Sequence, residues 1–203
     1  MQVSAKCIIK YYVRKTLLAL LFLLCVFPYS CTEITKNEQS FYFVCSGKFY
    51  NYESAFDLAS VVKIRGGSGF VYENRAYFVC VSMHSSQDTA KSVLANMPKN
   101  YFLQSITLPD FCDETMQNVF ENLDEFLLKD LFVEEIDFSS YLISLKTKLQ
   151  ICQNFLDESK YLYLKADFFV ICSLIDKNQN AEHTAKYLQA QLFFNLYHFI
   201  TQL

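Results

Sequence analysis

Glycine and proline are scarce in this 203-residue chain, with four and three copies, and neither occurs after Pro109. From Asp110 to Leu203 nothing interrupts a helix. The eight cysteines contain no Cys-x-x-Cys pair, so the usual zinc spacing is missing and no metal is expected. The net charge is −3, and no basic stripe with interleaved aromatics appears beyond the N-terminus, which argues against nucleic acid as a partner. Histidine occurs three times. His84 is expected in a solvated loop, and His183 and His198 share one helix without an acidic partner at ligand spacing. The glycine cluster Gly66-Gly67-Ser68-Gly69 precedes a strand rather than a helix, so it lacks the N–H groups and dipole of a phosphate cradle. Glu134, Glu135 and Asp137 read as a solvated acidic face. These absences leave no catalytic constellation and no cofactor site, and the chain is read as a non-enzyme.

What the chain does have is apolar and aromatic residues. Hydrophobic residues make up 52%, including 20 Phe and 14 Tyr, which excludes a disordered stalk. The string Tyr42-Phe43-Val44-Cys45 returns as Tyr77-Phe78-Val79-Cys80. Each copy reads as a strand, a polar cap (Asn51, Ser86), an acidic first turn (Glu53, Asp88) and an apolar helical stripe. The stripes are Ala55, Leu58, Ala59, Val62 and Ala90, Val93, Leu94, Met97. Arg65-Gly66-Gly67 closes the first helix and Pro98 stops the second. Strands are also expected over 68–72, 76–82 and 101–108, with Glu73-Asn74-Arg75 as a hairpin loop. The order β-α-β-β-α-β predicts a ferredoxin-like layout, two helices on one face of a four-stranded sheet. Strand alternation points Val44, Val79 and Val81 toward those helices, and Phe43, Cys45, Phe78, Cys80 and Ser82 away from them.

At these residues the chain resembles the SPOR domain, a bacterial cell-wall-binding module. The matches are Phe43-Val44, Gly47-Lys48-Phe49, Ala55, Tyr77 to Ser82, Ser85-Ser86 and Ala90-Lys91, within residues 40–108. The resemblance implies binding of peptidoglycan glycan strands, often those stripped of stem peptides at division sites, without catalysis. It places the glycan on the sheet face away from the helices, here Phe43, Cys45, Phe78, Cys80 and Ser82. Cys45 stands where the family often has glutamine, and Phe78 where it often has arginine. That face can therefore stack on sugar rings, or it can simply be covered, since large exposed apolar patches are uncommon. Cys45 and Cys80 on adjacent strands suit either a cross-strand disulfide in an oxidising compartment or two reduced apolar thiols.

At the N-terminus Lys6, Lys10, Arg14 and Lys15 precede an uncharged run from Thr16 to Thr32. A span needs about 17–25 apolar residues, so the run reads as a signal anchor, with a cleaved signal peptide or a lipidated Cys31 as alternatives. The basic residues stay inside, and residues 33–203 are expected outside the cytoplasm of a bacterium. Cys7, Cys25 and Cys31 belong to this region.

Beyond Pro109, helical spacing appears over 113–131, from Ser139 or Ser140 to Leu156, over 161–175 and over 181–203. The last helix carries Ala185, Leu188, Leu192, Leu196 and Ile200. Cys112, Cys152 and Cys172 read as core fillers.

The whole is α+β: residues 1–32 an anchor, 33–39 a linker, 40–108 the SPOR-like domain, and 110–203 an all-α bundle that can dock on the sheet or offer a helix to an envelope partner. Two functions remain open. One is a membrane-anchored protein binding peptidoglycan at division or sporulation sites. The other is a non-catalytic envelope scaffold whose sheet face is covered by its own helices or by a partner, with no glycan affinity.

Overall fold

The computed structural model of the chain describes residues 39–109 and 113–202. The expected anchor, the linker up to Glu38, Cys7, Cys25, Cys31, Cys112 and Leu203 lie outside the described residues. Among the described residues no helix is long and apolar enough to cross a membrane. The protein is mixed α+β. Its first part runs β1 (Gln39–Phe49), α1 (Tyr52–Ile64), β2 (Phe70–Glu73), β3 (Tyr77–His84), α2 (Gln87–Ala95) and β4 (Phe102–Leu108). The four strands make one antiparallel sheet in the order β2-β3-β1-β4.

Local chemistry accounts for these elements. Asn51 Oδ1 accepts from the Glu53 N–H at 2.7 Å and opens α1. Ser86 Oγ accepts from the Thr89 N–H at 3.4 Å and opens α2. At the end of α1 the chain turns through Gly66, whose φ of +85° is the left-handed region that side chains avoid. Its neighbour Gly67 donates its N–H to the Val62 carbonyl at 3.0 Å, satisfying an orphan acceptor of the last turn. In β1 the register slips around Cys45 and Ser46, leaving Cys45 opposite Cys80 and Gly47 opposite Val79. Across this bulge Phe41, Phe43 and Cys45 of β1 share one face with Phe78 and Cys80 of β3. The expected alternation follows. Val44, Val79 and Val81 pack on Ala55, Ala59 and Val62 under α1, with Val93 and Leu94 of α2 beside them.

The second part runs α3 (Glu114–Leu128), α4 (Phe138–Phe155), a 3-10 turn (Ser159–Tyr161), α5 (Leu162–Asp176) and α6 (Ala181–Gln202). Helix α4 starts earlier than serine capping predicts. Asp137 accepts from the N–H groups of Ser139 and Ser140 at 3.0 and 3.2 Å, so Phe138 is already helical. The acidic cluster is therefore partly structural, since Glu134 also pairs with Lys129. Asp113 caps α3 through the Met116 N–H at 2.9 Å and accepts from the Tyr161 hydroxyl at 2.7 Å, which ties the 3-10 turn to α3.

Helix α6 lies at the centre of the second part. Ala185, Leu188, Leu192, Leu196 and Ile200 are buried as their spacing predicts, but so are Phe193, Phe194 and Gln189. A helix apolar around most of its girth is a core helix, not a surface one. Gln189 Nε2 donates to the carbonyls of Phe126 and Lys129 at 3.0 and 2.6 Å, supplying partners at the C-terminal end of α3. The described residues cluster as a single unit, with one apolar cluster joining the second sheet face to α3, α4, α5 and α6. The sheet is thus covered on both faces.

Candidate functional site

The face expected to meet glycan or a partner is Phe43, Cys45, Phe78, Cys80 and Ser82. Four of these are 0% exposed and Phe78 is 8% exposed. Helix α6 occupies the face. The Phe193 ring lies 5.0 Å from Phe43 and 4.9 Å from Phe41, and the Phe194 ring lies 5.2 Å from Phe43. Of the two expectations for this face, open or covered, the structure has it covered by the chain's own helix. The cause is the aromatic character of the face. Left in water it would expose a large apolar patch, and α6 supplies matching rings from the same chain.

Sequence reading missed Tyr72, which completes this aromatic layer. Its ring stacks on Phe194 at 4.3 Å and on Phe78 at 5.2 Å. Its hydroxyl donates to Gln104 Oε1 at 2.6 Å, so the polar tip is satisfied. The available signal was alternation along β2, since Tyr72 stands opposite Phe78 in the register.

Cys45 and Cys80 are register partners on this face and both are free thiols. The disulfide alternative is not the state observed. Burial pushes the Cys45 thiol up to about 12, against a smaller lowering by its contact with Tyr72. Burial, and next the neighbouring Cys45, raise Cys80 as well. Neither thiol is a nucleophile near neutral pH. Maleimide treatment of the native protein at pH 7.5, a value chosen for roughly selective thiol chemistry, should leave both cysteines unmodified on peptide mapping. Both should react in denaturant. Rapid native labelling would mean that α6 leaves the sheet.

His84 departs most from its expected place. It is the last residue of β3, 1% exposed rather than solvated. Nδ1 lies 2.8 Å from Asp130 Oδ2, and Nε2 lies 2.8 Å from Ser82 Oγ. One ring nitrogen thus faces the Asp130 carboxylate and the other the Ser82 hydroxyl. An acid, an imidazole and a serine at these distances can activate a hydroxyl in hydrolases. Here Ser82 is sealed in the core and no substrate reaches its oxygen. The chain of contacts instead fastens the end of β3 to the segment joining α3 and α4. Residues 46 apart in sequence gave no signal for the His84–Asp130 pair.

A groove of about 470 Å³ lies elsewhere, between the end of α1 and the turn joining α5 to α6. Its lining includes Lys63, His183, Thr184 and Tyr187. His198 lines a smaller groove at the sheet edge. Among the described residues no group of three or more His, Cys, Asp or Glu side chains converges as a metal ion would require. The outer surface of α5 carries Leu162, Tyr163, Phe169 and Val170, all more than half exposed. Compared with family models, with curated proteins and with solved structures, the chain finds no match.

Proposed function

We propose that this chain is a non-catalytic interaction protein of the bacterial cell envelope, and that its sheet face serves as core rather than as a glycan platform. The observation that carries this reading is the burial of Phe43 and Phe78 beneath α6. A stacked sugar needs an accessible ring face, and α6 takes that place. The envelope setting rests on the SPOR resemblance of residues 40–108 and on the basic stretch ahead of the uncharged run at 16–32. Residues 33–203 then stand outside the cytoplasm, and contact with a protein partner falls to exposed surface such as Tyr163, Phe169 and Val170 of α5.

The test is co-sedimentation of the full chain, in mild detergent, with purified sacculi left intact or stripped of stem peptides by an amidase. The expected result is no pelleting with either. Photo-crosslinking from position 170 in cells should then trap a protein, and Phe169→Asp in the same chain should abolish that product. Saturable pelleting with the stripped sacculi would overturn the proposal in favour of a peptidoglycan-binding protein acting at division or sporulation sites.

A further inference from the structure

The half-buried Lys63 differs from Lys186, the buried lysine of this region. Lys186 is fully engaged, donating to Glu182 at 2.5 Å and to the Gly66 carbonyl at 3.1 Å. Lys63 has no carboxylate partner among the described residues. Its ammonium sits 4.3 Å from the centre of the Tyr187 ring, which covers one side of it. The other side opens into two adjoining grooves, of about 470 and 90 Å³, and Lys63 and Tyr187 line both. Burial lowers the pKa of this amine, as expected where water is partly excluded and no anion compensates.

The position is held by the backbone. Gly69 has a φ of +60°, and a Cβ there would collide with the Lys63 stem, so glycine leaves the path the lysine follows. Across the larger groove stand Lys177, His183 and Thr184. Glu182 belongs to the same helical turn, but its carboxylate is bound to Lys186. The groove thus gathers two ammonium groups, an imidazole and a hydroxyl without a lining carboxylate.

We propose that this groove binds the oxyanion of a small ligand, a phosphate or a carboxylate, with Lys63 as its principal cation and Thr184 as a hydroxyl donor. A charge-assisted hydrogen bond to an ammonium held on an aromatic ring and shielded from water is stronger than the same contact on open surface. The inference does not depend on what the exposed face of α5 contacts.

Equilibrium titration of the full chain in detergent, with inorganic phosphate, acetate and glucose as separate probes, tests it. Saturable binding of phosphate alone assigns a phosphate site, and binding of acetate as well assigns a general carboxylate-accepting one. Lys63→Gln should weaken the bound anion roughly tenfold or more, the loss of one charged hydrogen bond. Lys63→Arg should retain most of the affinity, and Lys129→Gln, a surface lysine paired with Glu134, should bind as the parent does. Unchanged melting temperatures would exclude a folding effect. The proposal is overturned if neither anion binds saturably, if glucose binds as well as the anions, or if a folded Lys63→Gln protein binds as tightly as the parent.

Discussion

Phe193→Ala should lower the stability of the folded unit by about 3–5 kcal/mol, the usual loss for a fully buried phenylalanine. The ring is 0% exposed and meets Phe41, Phe43 and Phe194 with centroids 4.9, 5.0 and 5.2 Å away. Deleting it removes the ring that meets both Phe41 and Phe43, leaving Phe194 to hold α6 on the sheet, and opens a cavity. Against a total stability of roughly 5–15 kcal/mol this is a large fraction. The effect should also report on architecture. Helix loss, followed by circular dichroism in urea, and labelling of Cys45 and Cys80 should shift together to lower denaturant. Sheet thiols that stay protected after the helices have melted would show that residues 40–108 fold as a separate domain. Phe193→Leu should cost much less, because most of the volume is kept.

His84→Ala should destabilise the protein by about 3 kcal/mol. The substitution leaves Asp130 half-sheltered without its imidazole partner and strips the Ser82 hydroxyl of a hydrogen-bond partner in a fully buried place. Asp130→Ala should act in the same direction, and the double variant should be less destabilised than the sum, because both remove one contact. The pair also sets a pH dependence. Burial pushes the Asp130 carboxyl up, but the His84 hydrogen bond and charge, with the N–H groups of Phe132 and Val133, hold it below its ordinary 3.8. A depressed folded pKa means that the stabilisation is complete above the unfolded value and is lost as pH falls through the folded one. Urea midpoints of the parent and of Asp130→Asn should therefore differ at pH 7, and the gap should shrink below about pH 4. A gap that stays constant into strong acid would remove the Asp130 carboxylate from the account.

Much of the local structure was legible in the residues. The repeated strand-and-helix units showed because caps, apolar periodicity and glycine act over a few neighbouring positions. Asn51, Ser86 and Gly66 stand where that chemistry requires them. The start of α4 was misplaced because Asp137 and Ser139 are both good caps, and only the hydrogen bonds separate them. The interior side of α6 was underestimated for a different reason. Phe193 and Phe194 fall off the stripe of Leu188, Leu192 and Leu196, and periodicity ranks one face at a time.

By itself the sequence determined which side of each strand Val44, Phe43, Val79 and Phe78 take, because alternation is a property of the extended backbone. It also determined that the Phe43 side would be apolar. Whether that side faced solvent, a sugar, a partner or its own chain was decided only in the tertiary structure. Burial depends on the surface that arrives opposite a segment, and α6 comes from about 150 residues further along, a distance no local pattern spans. The same holds for His84, a loop residue by local reading, which became a buried anchor when Asp130 was brought to within 2.8 Å of it.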